Sequence, residues 1–285
     1  MSGAALLGAH GPWVEEHLGE VREAEDASCD HAASDVVRVV CARGAAFLKR
    51  HRDRRKFDQE RSAYAGWCNG LDAAATLLAA TESPGPALLV HAAPGAPLAG
   101  LISLSADVER AHWSRAGAFL AALHALPHED EDEVPLPDAW TRRAEAWVRR
   151  AGRAITRREA EGVLSLARAP WPESDDRPRR VPCHRDFTPR NWIVTEDSLA
   201  VIDFEHARAD WALVDLGRAL EEVPEDREDL AAALWAGYGA DRTALEVSLP
   251  RVLAVQAVAR IAWAVEHGDA RFERSGRELL RRACP

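Results

Sequence analysis

Three polar side chains in one short region are of the types that move a phosphoryl group. They are an acid, Asp186, an amide five residues further on, Asn191, and a second acid, Asp203, at the end of an apolar run. The first two lie in residues 181–194 (Val-Pro-Cys-His-Arg-Asp-Phe-Thr-Pro-Arg-Asn-Trp-Ile-Val) and the third in residues 199–205 (Leu-Ala-Val-Ile-Asp-Phe-Glu). Transfer from a nucleotide needs a carboxylate that accepts the proton of an attacking hydroxyl, and an amide plus a carboxylate that hold Mg²⁺ on the phosphates. Asp186 is therefore read as the base, with His184 bracing the loop beside it, and Asn191 and Asp203 as the metal ligands. A single His-x-Asp would mean little, but two such segments in this order are specific.

The elements that must position these groups follow from the apolar runs around them. Ile193-Val194 and residues 199–202 are joined by a polar turn, residues 195–198, so a hairpin is expected to bring Asn191 and Asp203 together. The segments resemble the aminoglycoside and related small-molecule phosphotransferases, whose catalytic loop reads His-x-Asp-x-x-x-x-Asn and whose metal-binding strand ends Ile-Asp-x-Glu. His184, Asp186, Asn191, Asp203 and Glu205 match that pattern. The resemblance implies a kinase-like α+β fold, with a small sheet-plus-helix lobe, a larger helical lobe and ATP or GTP in the cleft. It also implies that Asp215 supports the catalytic loop from beneath by hydrogen bonds.

A kinase-like lobe needs a strand lysine that holds the phosphates and a helix glutamate that orients it. Residues 35–42 and 45–51 are β-prone runs separated by Arg43-Gly44, a hairpin turn signal, and Lys49 falls near the end of the second. Only two lysines occur in the chain, Lys49 and Lys56, so one of the two stands where this chemistry wants an amine. Residues 55–67 contain good helix formers, and Glu60, eleven residues past Lys49, is placed to pair with it.

Two departures from the pattern stand out. Residues 28–34 (Ser-Cys-Asp-His-Ala-Ala-Ser), the loop expected over the phosphates, contain no glycine, and Ser34 is the candidate donor there. Arg185 occupies the position where the antibiotic kinases usually carry glycine and protein kinases carry arginine. Only eleven residues separate Asp203 from Asp215 and no Ala-Pro-Glu follows, which leaves no room for an activation segment. A small-molecule acceptor is therefore expected.

Composition narrows the classes further. The net charge of −10 argues against a nucleic-acid partner, since phosphate backbones select basic patches. Acidic clusters at residues 128–133, 173–176 and 221–229 favour a cationic acceptor such as an aminoglycoside, because a cleft of one sign concentrates the opposite charge. A metabolic acceptor of the choline, sugar or homoserine type, and an inactive nucleotide-binding protein, are the alternatives. No run approaches the roughly 20 apolar residues of a membrane span, and the N-terminus lacks the basic start of a signal peptide. Five scattered cysteines show no metal-ligand spacing, so a reducing cytoplasm is the expected location, with Cys183 a small buried hydrophobe.

Lobe boundaries follow from punctuation. Residues 1–91 are expected to form the nucleotide-binding lobe, 92–97 the hinge and 98–285 the catalytic and acceptor-binding lobe. Residues 87–91 read as a buried strand running into Ala-Ala-Pro-Gly-Ala-Pro, and backbone groups from His91 to Ala93 would face the nucleotide base. Helices are expected over residues 106–126, 138–151, 156–168, 211–220, 249–267 and 271–280. His124 is read as a core or helix-end histidine, and Trp235, Tyr238, Trp263 and Phe272 as core before pocket.

Overall fold

The computed structural model describes residues 3–28, 34–101, 104–130, 132–171, 179–239 and 245–284. Two short helices, α1 (Gly3–Leu7) and α2 (Gly11–Leu18), open the chain and precede a five-stranded antiparallel sheet in the order β1-β2-β3-β5-β4. Its strands are β1 (Val21–Asp26), β2 (Ser34–Cys41), β3 (Gly44–His51), β4 (Leu77–Thr81) and β5 (Ala87–His91), with α3 (Arg54–Ser62) inserted after β3.

Side chains alternate between the two faces of a strand, and here each face has its own core. Val37, Val39, Leu48 and Leu89 pack with Leu7, Val14 and Leu18 of the N-terminal helices, which no sequence signal had suggested. Leu88 and Val90 turn the other way and join Phe57 and Tyr64 in the main core. Lys49, one residue on from Leu48 and paired in register with Val36 and Leu88, belongs to this second face. Helix α3 begins at Asp53, whose carboxylate caps it by accepting the Arg55 N–H at 2.9 Å. Phe57 and Glu60, three residues apart on one helix face, are both buried. The stretch expected to continue as one helix to Trp67 widens into a π-helical turn over Ala63–Trp67.

The larger lobe is mainly helical. It contains α4 (Ala106–His124), α5 (Leu136–Ala151), α6 (Arg157–Arg168), α7 (Leu213–Leu220), α8 (Glu228–Tyr238), α9 (Leu249–His267) and α10 (Ala270–Ala283). Two small sheets carry the candidate site. β6 (Ala96–Pro97), β8 (Trp192–Val194) and β9 (Leu199–Val201) form one, and β7 (Val181–Cys183) pairs with β10 (Arg208–Asp210) in the other. β8 and β9 are the expected hairpin, with Trp192 opposite Val201 and its turn fastened by the Thr195 and Ser198 hydroxyls at 2.6 Å.

β6 fastens the segment between the lobes to this hairpin, Ala96 opposite Val194. Gly95 just before it has φ +113°, and a Cβ there would lie 2.1 Å from the Val194 carbonyl oxygen, so only glycine fits. Behind the site, α4 and α8 approach closely at Gly117, where a Cβ would lie 2.1 Å from the Leu234 carbonyl oxygen. Trp235 is buried in the main core, and Trp263 meets Phe272 edge-on at 5.4 Å.

Candidate active site

The segment from β7 to β8 folds over a buried acid at the start of α7. Asp215, fully buried, accepts the Arg185 N–H at 2.6 Å on one oxygen and the His184 N–H at 2.8 Å on the other. The second oxygen also lies 3.1 Å from His124 Nε2, whose Nδ1 meets the Tyr238 hydroxyl at 3.0 Å. Two backbone donors on one carboxylate fix the loop where it must bend. Arg185 there has φ +65°, and Asp203 has φ +69°. Among the described residues these are the only non-glycine positions with positive φ. Strain of this kind costs on the order of 1–3 kcal/mol per residue and persists only where surrounding contacts enforce it.

His184 is fully buried and ties the two motifs together. Its Nε2 donates to the Ile202 carbonyl at 2.9 Å, and its Nδ1 accepts the Asp186 N–H at 3.2 Å. Asn191 lies in a turn of 3₁₀-helix, Pro189–Asn191, and its Nδ2 donates to the Asp186 carbonyl at 2.8 Å and to Oδ2 at 3.2 Å. Among the described residues Asn191 Oδ1 has no hydrogen-bond partner. The Ile202 N–H donates to the Asn191 carbonyl at 3.1 Å, so Asp203 follows directly on the residue that abuts Asn191. An amide oxygen beside a carboxylate is a donor set suited to a hard cation such as Mg²⁺.

Lys49 reaches this end of the cleft from β3. Its Nζ lies 2.8 Å from Glu60, 2.5 Å from Asp203 and 3.1 Å from Glu205, three carboxylates around one ammonium. Burial disfavours the charged amine, but Glu60, Asp203 and Glu205 together outweigh it and hold its pKa well above the ordinary value. Glu60, 1% exposed, also has His51 Nε2 at 3.1 Å. Burial would raise the Glu60 pKa, yet Lys49 and His51 lower it below the usual carboxylate range.

Asp186 is clamped by two arginines for which the motif gave no signal. Arg190 Nη2 lies 3.0 Å from Oδ2, and Arg218 lies 3.3 Å from Oδ1. Burial pushes the Asp186 carboxyl up, but Arg218 and Arg190 bring it below its ordinary value. Arg218 sits three residues past Asp215, on the next turn of α7, and is itself held by Glu221 at 2.8 Å. Arg185 turns away from Asp186 and pairs with Asp210 at 2.9 Å, which Arg143 also holds at 2.8 Å. Asp210, Arg143, Arg190 and Arg218 were not singled out in the sequence; Arg190 could have been found from its spacing of four to Asp186, but no spacing rule links the others to the motifs.

The remaining sequence candidates are less central. Ser34 is buried at the start of β2, opposite His51 of β3, while residues 29–33 of the same loop lie outside the described residues. At the edge of β5 the His91 N–H is engaged by Thr76 and the Ala92 N–H by Ala45. The Ala93 N–H has no such partner among the described residues. Cys183 is fully buried and burial pushes its thiol well up, so it is not a ready thiolate.

The acidic clusters carry less free charge than the sequence suggests. Arg180 holds Asp130 at 3.0 Å and Asp132 at 3.1 Å, Arg218 and Arg260 hold Glu221, and Arg227 holds Asp229 at 2.9 Å. Residues 173–176 lie outside the described residues, and Glu225, Asp226 and Glu228 are exposed. No helix among the described residues is long and apolar enough to cross a membrane.

Comparison with known proteins places the fold. Solved structures of the same fold include an aminoglycoside phosphotransferase with ADP and hygromycin B, at 13% identity and a TM-score of 0.74 over 97% of this chain and 98% of the other. Another holds GDP and kanamycin, at 14% identity and a TM-score of 0.73 over 95% and 96%. A choline/ethanolamine kinase family protein from Mesorhizobium loti shares 18% identity, with a TM-score of 0.65 over 99% and 92%. No curated protein sequence matches the chain. The model of the phosphotransferase enzyme family matches residues 28–247, most of the chain, and the protein belongs to that family, as a kinase-type enzyme acting on hydroxyl groups.

Proposed function

We propose that the protein transfers the γ-phosphoryl group of ATP or GTP, with Mg²⁺, to a hydroxyl of a small molecule. The observation that supports this most is the meeting of Lys49 and Glu60 with Asp203 and Glu205 at one end of the cleft, next to the hairpin that Asn191 precedes and Asp203 follows, with Asp186 held to Asn191. Asn191 Oδ1 and the Asp203 carboxylate are the groups that would hold the metal, and Mg²⁺ would supply charge neutralisation at the phosphates. Lys49, steadied by Glu60, would leave Asp203 and neutralise phosphate oxygens. Asp186 would orient the acceptor hydroxyl and take its proton as the phosphoryl group moves. Its depressed pKa keeps it ionised, which suits an orienting carboxylate that receives the proton late in a loose transition state.

For the acceptor, a cationic antibiotic of the aminoglycoside kind, inactivated by phosphorylation, is the first reading. The net charge of −10 and the exposed Glu225, Asp226 and Glu228 beside α8 support it. A metabolic acceptor with a neutral or anionic group near its hydroxyl is the second. The guanidiniums of Arg190 and Arg218 at the base favour it, since they repel an ammonium placed close to Asp186.

Incubating the purified protein with Mg·ATP or Mg·GTP and a panel of aminoglycosides, choline, homoserine and simple sugars, with products read by mass, tests both readings. A gain of one phosphoryl group on any member supports the reaction and selects the acceptor class. Absence of binding to either nucleotide sinks the whole proposal.

A further inference from the structure

Both lysines of the chain end on one carboxylate. Lys49 Nζ lies 3.1 Å from Glu205 Oε2, and Lys56 Nζ lies 2.5 Å from Glu205 Oε1. Only two of the 36 lysines and arginines are lysines, so their convergence at one point of the cleft is a marked departure from the composition elsewhere. They arrive from different elements, Lys49 from β3 and Lys56 from α3. Lys56 precedes Glu60 by four residues, so both occupy the helix face turned towards the cleft.

The position is the phosphate end of the site. Glu205 lies two residues beyond Asp203, and Asp203 shares Lys49 with it. The Lys56 side chain is 18% exposed, within reach of the cleft, and its other polar neighbour is His206 Nε2 at 3.4 Å. An ammonium differs from a guanidinium in being a compact point charge with three rotatable donors, able to serve several oxygens at once. In an arginine-rich chain, that is a chemical reason for lysine at a phosphate. The loop of residues 28–34 has no glycine to let its backbone close tightly on a phosphate, so side-chain donors, Ser34 and nearby cations among them, gain weight there.

We propose that Lys56 is a second phosphate-binding residue, exchanging Glu205 for an oxygen of the bound nucleoside triphosphate alongside Lys49. The inference rests on the phosphotransferase reading above. It accounts for how a glycine-free loop suffices, and it makes Glu205 the carboxylate that holds both ammoniums in place before the nucleotide arrives.

Calorimetric titration with Mg·ATP, Mg·GTP, adenosine and guanosine tests this without knowledge of the acceptor. Lys56→Met is expected to weaken the triphosphate by roughly tenfold, the loss of one charge-assisted contact, and to leave the nucleoside unchanged. The same loss is expected in a Glu205→Gln background. Unchanged triphosphate affinity, or an equal loss for the nucleoside, overturns the inference. So does a loss that disappears with Glu205→Gln, since Lys56 would then act only by neutralising that carboxylate. Lys56→Gln is read in its place if the methionine variant does not fold. If the native chain binds neither triphosphate, the phosphotransferase reading itself fails; if it binds and the variant binds equally well, only the role of Lys56 fails.

Discussion

Replacing Lys49 by methionine removes the one ammonium shared by Glu60, Asp203 and Glu205. Breaking a buried ion pair from one side costs about 3–5 kcal/mol, because the remaining charge is left without a partner. The lower end applies here. Glu205 keeps Lys56, Asp203 is partly exposed to water, and Glu60 keeps His51 at 3.1 Å. A loss of about 3 kcal/mol corresponds to a melting temperature lower by about 6–12 °C in a chain of this size. The pH dependence carries the sharper test. In the native chain Glu60 has a folded pKa below its ordinary 4.5, so its stabilising share is present above that pH and is lost as pH falls. Without Lys49, burial becomes the larger influence and the folded pKa rises above the unfolded one. The Glu60 share is then destabilising at neutral pH and is recovered as pH falls towards 4.5, where the acid is neutral in both states. The deficit of Lys49→Met relative to the native chain should therefore be widest near pH 7.5 and narrow at pH 5. Thermal melts of the two proteins across that range measure it directly. A deficit as large at pH 5 as at pH 7.5 would refute the assignment of the cost to an unpaired Glu60.

Three further outcomes follow from the same geometry. Asp186→Asn should lower turnover by roughly 10²–10⁴-fold, the range of positioned proton transfer, with little change in nucleotide affinity; comparable turnover would remove Asp186 from the reaction. Arg218→Met, which frees one side of the Asp186 clamp, should lower turnover while leaving nucleotide Kd unchanged, and should add nothing once Asp186 is asparagine. Full additivity in that cycle would show that Arg218 acts elsewhere. Gly95→Ala places a Cβ 2.1 Å from the Val194 carbonyl oxygen at a positive φ and should destabilise the chain by about 1–3 kcal/mol, read from denaturant midpoints; a neutral effect would mean that the β6–β8 contact yields easily.

Much of this architecture is legible in the sequence, and the reason is local. The β8–β9 hairpin is specified by two apolar runs and a four-residue polar turn, and β3 by its β-prone run and the Arg43-Gly44 turn before it. Lys49 and Glu60 could be paired because a strand followed by a helix leaves few ways for the two to meet. Helices α1 and α2 escaped notice because they are short, 5 and 8 residues, and their apolar residues gain their meaning only against the outer face of the sheet. Lys56 could have been found from its spacing of four to Glu60, which puts both on one helix face. Arg143 and Arg218 could not. Their partners Asp210 and Asp186 are 67 and 32 residues away, and the pairing depends on how α5 and α7 pack, which no periodicity encodes.

The acidic clusters illustrate the same limit from the other side. A run of carboxylates fixes the formal charge but not the field at the site, since that depends on where the cations fold. Asp130, Glu221 and Asp229 are each covered by arginine, and Asp186, Asp203 and Glu205 of the candidate site each have a cation of this chain against them. Lys49 stands at Asp203 beside the place where the metal would bind, while Arg190 and Arg218 stand at Asp186 where the acceptor hydroxyl would bind. On the reading proposed above, substrate binding would be an exchange of ion pairs within a preformed set. Lys49 would pass from carboxylate to phosphate, Asn191 and Asp203 would hold Mg²⁺, and the charge of the cleft would change less than a count of its acids implies. The two backbone positions held at positive φ, Arg185 and Asp203, lie at the two ends of this exchange. Arg185 N–H is fixed by Asp215, and the segment before Asp203 by the His184 bond to Ile202, so the strained turns stay in place while the side chains change partners.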